Sequence, residues 1–573
     1  MPETVLELQD LEVSFDTSQG EVQAIRGVNL CVKKGEIVCI VGESGCGKTV
    51  MCQSVMRLLP KQARIKNGSI WLCGKEITDC SDKELRMMRR TAMSMVFQDP
   101  LTTLNPTIPV GKQIMEILLK SRRISRKDAR EKVLDILREV GIEDAERRFH
   151  LQPHFLSGGM RQRCVLAAAL ISEPQLLFAD EATTALDVTV ETKILDLLLE
   201  IREKRGLSLV FVTHDLGAAA RIADRVAVMQ AGEIVETGTA KEVFYAPHHP
   251  YTRKLLSSHP MFRPSGIHGT AAGPPDGRVS KSRKILEVQH LRQYFVVRDR
   301  LTVRAVEDLS LAIQEGETFG LVGESGCGKS TVARSLVALY RPTGGAVLYE
   351  GTAVAGEGAR KEQQKKMRQE MQMIFQDSAA ALNPRMTMEQ IISEPLRIQR
   401  PGMEKGCRRD RLEEVLRQVG LPLSVVSRYP GELSGGQRQR AAIARSLISD
   451  PRLIIADEPV ASLDISTQAQ IITLLEQLIQ ERRFTLFFIA HELSLVRRIC
   501  DRTGVMLKGR LVELAPTGEL FGNPRHPYTK SLLSAIHLPD PVRERSRKLV
   551  DYDRGEPLGE RMVERETGHF VLE

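Results

Sequence analysis

The chain has 573 residues, 42% hydrophobic and 27% charged, a profile of an ordinary globular protein long enough for two or more domains with separate cores. A formal net charge of +8 is small against 81 basic and 73 acidic side chains, and 4% aromatics with a single tryptophan (Trp71) argue against a base-stacking platform for nucleic acid. No apolar run approaches the length that crosses a bilayer, the acidic start MPETVLELQD lacks the apolar stretch of a signal peptide, and ten cysteines without a C-x-x-C pair predict reduced thiols in a cytosolic protein with no disulfide framework or cysteine zinc site.

In chain order, LELQDLEVSF and VNLCV read as strands, followed by the apolar, β-branched run Ile37–Val41 of a buried strand. The next residues, Gly42-Glu43-Ser44-Gly45-Cys46-Gly47-Lys48-Thr49, fit a phosphate-binding P-loop that ends in a helix near Pro60. Its glycines let successive N–H groups turn inward, and the helix N-terminus adds a favourable dipole for an anion. Lys48 can reach the β- and γ-phosphates, and the Thr49 hydroxyl can bind Mg²⁺. The thiol of Cys46 sits among those N–H groups, which predicts a favoured thiolate.

Further on, RKDAREKVLDILREV (Arg126 to Val140) has apolar residues at helical spacing, with Gly141 as a C-cap. Leu156-Ser157-Gly158-Gly159-Met160 precedes a helix, and a hydroxyl with exposed N–H groups makes either an anion site or a simple N-cap. LLFADE ends an apolar strand in Asp180 and Glu181; beside a P-loop, the first carboxylate can hold Mg²⁺ and the second can polarise water. A last buried strand, LSLVFVTH, ends in His214.

All of this then recurs. Lys48, Gln98, Ser157, Glu181, His214 and Tyr251 have counterparts in Lys329, Gln376, Ser434, Glu458, His491 and Tyr528 at a nearly constant offset. The second P-loop is Gly323-Glu324-Ser325-Gly326-Cys327-Gly328-Lys329-Ser330-Thr331, its carboxylate strand LIIADE carries Asp457, and its Ser434-Gly435-Gly436-Gln437 again precedes a helix. A period this long means duplication of a whole domain. The predicted organisation is a first domain at 1–259, a Gly/Pro-rich flexible linker at 260–284, a second domain at 285–540 and a charged, loosely ordered tail at 541–573. Each domain is α/β, with a mostly parallel sheet core and a helical insertion.

The order P-loop, LSGG before RQR, carboxylate strand and strand-end histidine (VTHD; IAHE) resembles the ATP-binding subunits of ABC transporters across nearly the whole chain. The resemblance implies an antiparallel N-terminal subdomain in each half. Phe15 and Phe295 would stack on adenine, though a packed core role is the rival reading. Gln98 and Gln376 (VFQDP; IFQDS) would be Q-loop residues that sense nucleotide and metal. Ser157, Gly159, Ser434 and Gly436 would belong to signatures that close over ATP held by the opposite domain. Glu181 and Glu458 would orient water, and His214 and His491 would meet the γ-phosphate. Thr184–Asp187 and Ala461–Asp464 look like D-loops. Departures from the family pattern are Val50 after the P-loop threonine, Met160 for a signature Gln and Ala182 for a Pro; none removes a phosphate, metal or water ligand.

HHPYTRKLL (His248 to Leu256) and RHPYTKSLL (Arg525 to Leu533) look like the C-terminal motif of dipeptide, oligopeptide and nickel importer ATPases. The cysteine cluster that some members carry after this motif is absent, so no iron–sulfur centre is expected. The implied protein uses ATP and Mg²⁺, sits peripherally on the cytoplasmic face of the inner membrane, and energises uptake of a small solute, di- or oligopeptides first among them. Its implied partners are two membrane-spanning permease subunits and an extracytoplasmic solute-binding protein. The alternative is a soluble tandem ABC ATPase acting on ribosomes or nucleic acid. Such proteins usually bring a long charged interdomain helix or metal-binding cysteines; here the linker is short and HPYT occurs twice.

Overall fold

The computed structural model describes residues 3–17, 20–97, 99–183, 187–257, 283–296, 302–461, 463–553, 555 and 557–573. The chain divides into two compact units, Met1–Phe262 together with His537–Lys548, and Arg263–Ile536 together with Leu549–Glu573. The predicted linker lies mostly outside the described residues.

In the first unit, Thr4–Thr17 pairs antiparallel with both Gly20–Lys33 and Ala63–Leu72, and Lys75–Glu76 completes a four-stranded sheet. A second sheet has the order Glu233–Thr239, Arg225–Gln230, Ile37–Val41, Ser208–Thr213, Leu176–Asp180, Met93–Val96. All its pairings are parallel except that of the first two strands. Every residue of Ile37–Val41, Leu176–Asp180 and Ser208–Thr213 is buried, as strands covered on both faces require. The P-loop strand lies at the centre of this order, so the loop after it opens at the same sheet edge that receives the carboxylate strand.

The helical insertion includes Val110–Ser121, Arg126–Glu139 and Gly158–Leu170. Ser125 starts the middle helix by accepting from Asp128 N, and Gly141 follows its end at φ 74°. Val110, Ile114, Leu118, Val133 and Leu137 are fully buried and tie the insertion to the core of the parallel sheet.

The second unit repeats these elements, with its antiparallel and parallel parts joined through the pair Asp308 and Arg510. Its added feature is the hairpin Met562–Glu566 and His569–Leu572, whose second strand pairs with Arg510–Pro516 at Glu513 and Leu514. The loosely ordered tail expected at 541–573 is therefore corrected. Residues 537–548 pack into the first unit, and 549–573 complete the second. High charge in RERSRK and DYDRGEP concealed the buried positions His569, Val571 and Leu572 of the last strand.

Phe178 lies in the middle of the carboxylate strand with no exposure. Phe178→Ala should lower the stability of the first unit by about 3–5 kcal/mol. In denaturant unfolding, one transition should move to lower concentration while that of the second unit stays in place; a shift of both, or of neither, would contradict independent cores.

Candidate nucleotide site

Each P-loop folds around its lysine. Gly47 and Gly328 begin the helices Lys48–Val55 and Lys329–Leu336 with φ of 107° and 109°. A Cβ at these glycines would lie 2.8 Å from Ala24 O and 2.2 Å from Ala305 O, so the left-handed turn and the adjacent strand both demand glycine. Lys48 is 5% exposed, and its Nζ donates to Gly42 O and Glu43 O, each at 2.8 Å. Lys329 Nζ donates to Gly323 O at 2.7 Å and Glu324 O at 2.9 Å. A buried ammonium inside a loop opening onto a helix N-terminus is chemistry for binding phosphate. Ser44, Gly45, Ser325 and Gly326 are exposed at the loop tips, whereas Val50 packs against the core.

The next hydroxyls meet the strand-end carboxylates. Thr49 Oγ1 donates to Asp180 Oδ1 at 3.1 Å, and Ser330 Oγ to Asp457 Oδ1 at 2.9 Å. Burial pushes the Asp180 carboxyl up to about 6, with the Glu181 charge adding and Thr49 and Lys48 opposing; burial raises Asp457 too. Asp457 Oδ2 is buried with no hydrogen-bond partner. A hydroxyl and a desolvated carboxylate side by side form an oxygen donor set suited to Mg²⁺.

Glu181 and Glu458 are held at φ 47° and 50°, a left-handed backbone that costs about 1–2 kcal/mol in a residue with a side chain. The bonds Glu181 N to Val212 O (2.9 Å) and Glu458 N to Ile489 O (3.0 Å) hold that turn. It brings each carboxylate to its histidine: Glu181 Oε1 lies 3.4 Å from His214 Nδ1, and Glu458 Oε1 lies 2.6 Å from His491 Nε2. Burial opposes protonation of His214, but its hydrogen bond to Glu181 and the charges of Glu181 and Asp215 outweigh it and raise its pKa. Gln376 Nε2 donates to Glu458 Oε2 at 2.6 Å, so this side chain is engaged by Glu458 rather than by Ser330 or Asp457. Gln98 lies outside the described residues, as do Thr184–Leu186 and Ser462 of the D-loops.

The other candidates are placed apart from this cluster. Phe15 and Phe295 are half-buried on the long antiparallel strands, and Phe295 meets Tyr340 edge-on at 5.3 Å. Ser157 and Ser434 are N-caps, accepting from Met160 N and Gln437 N. Gln437 returns a hydrogen bond from Ser434 N at 3.1 Å, which methionine in the first copy has no side-chain oxygen to make. At Gly159 and Gly436 a Cβ would press on Val190 and Thr467, at 2.6 and 2.7 Å, so packing against the following helix requires glycine there.

Two expectations need amendment. Burial raises the Cys46 thiol above its ordinary pKa despite the help of Lys48, so the thiolate is disfavoured: the loop N–H groups do not compensate for desolvation. The HPYT motif, read from sequence only as a family marker, reaches the P-loop. Tyr251 OH accepts from Glu43 N, and Tyr528 OH from Glu324 N, each at 3.1 Å. Glu236 anchors the first motif by accepting from His248 N and His249 N, and His249 Nδ1 accepts from Tyr251 N. Glu513, Arg525, His526 and Tyr528 repeat the arrangement. The signal in the sequence was the constant spacing from strand-end histidine to tyrosine in both copies.

Replacing both tyrosines (Tyr251→Phe, Tyr528→Phe) leaves a P-loop N–H without its acceptor, a loss of about 1–3 kcal/mol. We expect weaker ATP binding by roughly fivefold to a hundredfold, read as a raised KM with kcat nearly unchanged. An unchanged KM would show that the loop keeps its shape without the phenol.

Comparison with known proteins agrees with this geometry. The ABC transporter family model matches residues 25–184 and 306–461, and the model of the oligopeptide/dipeptide transporter C-terminal region matches 235–277 and 512–557. The glutathione import ATP-binding protein GsiA of Salmonella choleraesuis is 40% identical over 573 residues, covering 95% of this chain and 92% of the relative. GsiA of Escherichia coli is 39% identical over 575 residues with the same coverage. Among solved structures, the dimeric ATP-binding cassette MJ0796 in a post-hydrolysis state bound to ADP and Pi matches at 30% identity, covering 41% of this chain and 98% of that one, with a TM-score of 0.38. Two matched cassettes, each ending in a matched importer-type C-terminal region, establish that the chain belongs to the ABC transporter family and that both its halves are ATP-binding ATPase domains.

Proposed function

We propose that the chain powers import of glutathione or a closely related short peptide, with both halves hydrolysing ATP. The observation carrying this reading is the end-to-end match to glutathione import ATP-binding proteins, with the oligopeptide-type region after each cassette. That region, found twice, favours a transporter over the ribosome or nucleic-acid alternative. The partners in this reading are two membrane-spanning permease subunits and an extracytoplasmic solute-binding protein, with the ATPase peripheral at the cytoplasmic face of the inner membrane. Among the described residues no helix is long and apolar enough to cross a membrane.

In each half the lysine ammonium binds the terminal phosphates and balances charge that builds during phosphoryl transfer. Thr49 with Asp180, and Ser330 with Asp457, would hold Mg²⁺. Bound there, the ion would neutralise phosphate oxygens. Glu181 and Glu458 orient the attacking water and accept its proton. His214 and His491, each against its glutamate, hold that carboxylate in place and present a polar ring nitrogen toward the reacting phosphate. Phe15 and Phe295 are assigned to adenine, and Ser157, Gly159, Ser434 and Gly436 to nucleotide contacts. The backbone of each P-loop, with Val50 and Thr331 in the first helical turns, is assigned to the phosphates.

Two measurements test the proposal. Glu181→Gln with Glu458→Gln should retain ATP binding and lower turnover by about 10²-fold or more, since an amide keeps the shape but cannot take the proton; near-normal turnover would remove these residues from the mechanism. In proteoliposomes with the permease and receptor, glutathione should stimulate ATPase and accumulate inside. Stimulation by other dipeptides but not by glutathione would redirect the substrate assignment while leaving the ATPase reading intact.

A further inference from the structure

The segment His537–Lys548 follows the second HPYT helix in sequence but belongs to the first unit, and it is built in closely. Gly217, three residues after His214, makes room for it: a Cβ there would lie 2.5 Å from His537 Cβ and 2.9 Å from His537 O. Arg221 Nη1 donates to Glu544 O at 3.2 Å and faces Glu544 Oε2 at 3.3 Å, with no exposure of the Glu544 side chain. Tyr245 OH donates to Asp540 Oδ1 at 2.5 Å, and Arg545 donates to Ala223 O.

This seating aims one imidazole at two carboxylates. His537 is 6% exposed, and its Nε2 lies 2.9 Å from Thr192 Oγ1. That hydroxyl donates to Val188 O at 2.7 Å, so it accepts from Nε2–H, and Nδ1 faces the other way. There Nδ1 meets Asp215 Oδ2 at 3.7 Å and Glu191 Oε2 at 3.9 Å, and one ligand atom from each of the three residues lies within 4.8 Å of the others. His537 is buried and the two carboxylates are half-buried, and a positive charge among the three, carried by a proton or a metal ion, stabilises such a cluster. The two nitrogen–oxygen separations exceed a hydrogen bond. They approach the roughly 3.5 Å between neighbouring ligand atoms around an ion bound at about 2.1 Å.

We propose that His537 Nδ1, Glu191 and Asp215 form a divalent-cation site of the Zn²⁺ class, which fastens the C-terminal segment to the loop carrying His214. Imidazole nitrogen with two carboxylates suits Zn²⁺ or Co²⁺, and the Thr192 contact to the second ring nitrogen is the outer support that ligating histidines use. The competing occupant is a proton. Burial opposes a charged His537, but Asp215 and Glu191, with Glu544 nearby, raise its pKa, while burial and the Asp215 charge lift Glu191 to about 7. A metal would displace protons from both, so binding should release acid near neutral pH.

The test uses the full-length, metal-free, nucleotide-free chain titrated with Co²⁺ near neutral pH, followed by visible absorption and calorimetry. The wild type should bind one ion with a d–d band lacking thiolate charge transfer, release protons on binding, and protect residues 537–548 from hydrogen exchange. His537→Gln and Glu191→Gln should each lose that ion or weaken it by about tenfold or more. Should His537→Gln fail to fold, Glu191→Gln, which keeps shape and hydrogen bonding, carries the same comparison. Equal binding by wild type and variants, or a wild type that binds only through thiolates such as the exposed Cys73 and Cys407, overturns the proposal and leaves a protonated His537 in the site.

Discussion

Each half depends on keeping opposite charges dry at one edge of an apolar sheet. Lys48 and Asp180 are both nearly buried, at 5% and 2% exposure, beyond strands whose residues are buried throughout. Removing such groups from water costs several kcal/mol apiece unless partners replace the solvent. The partners here are carbonyls for the ammonium and a hydroxyl for the carboxylate. The compensation is incomplete: the raised pKa of Asp180 and the unpartnered Asp457 Oδ2 both describe oxygens that a cation would satisfy better. In the proposed function, the lysine and the carboxylate together favour binding of a polyanion with a metal over either alone.

What the sequence made legible was local. The P-loop, carboxylate strands and strand-end histidines each span a few consecutive residues whose types fix backbone turn and chemistry together, and the helix at Arg126–Glu139 follows from spacing and an N-cap serine. Contacts between distant residues were not legible. Tyr251 is separated from Glu43 by 208 positions, and nothing in HPYT itself says which loop its hydroxyl meets. The hairpin at 562–572 was hidden because its first strand is charged and exposed from Glu564 to Glu566 and the buried residues of its partner are few. For Cys46 the reading counted neighbouring donors but had no measure of burial, and burial decides its acidity.

The two copies repeat the P-loop, carboxylate and histidine geometry while the supports around it differ. Both tyrosines sit 3.1 Å from their P-loops, and among the described residues Glu513, unlike Glu236, also binds His569, at 2.7 Å. Glu458 is met by both His491 and Gln376 at 2.6 Å, whereas His214 stands 3.4 Å from Glu181. The signature caps differ too: Gln437 completes a capping box with Ser434, and Met160 does not do so with Ser157.

The threading of the chain sets a timetable for its synthesis. The first unit includes His537–Lys548, so a ribosome that has finished the first cassette must translate the entire second one before the missing piece emerges. At about 5–20 residues per second, that interval lasts roughly a quarter of a minute to a minute. During it Arg221 lacks the carboxylate of Glu544, and the groove beside Gly217 lies open to solvent. Completion of the first unit therefore waits on synthesis of the second cassette.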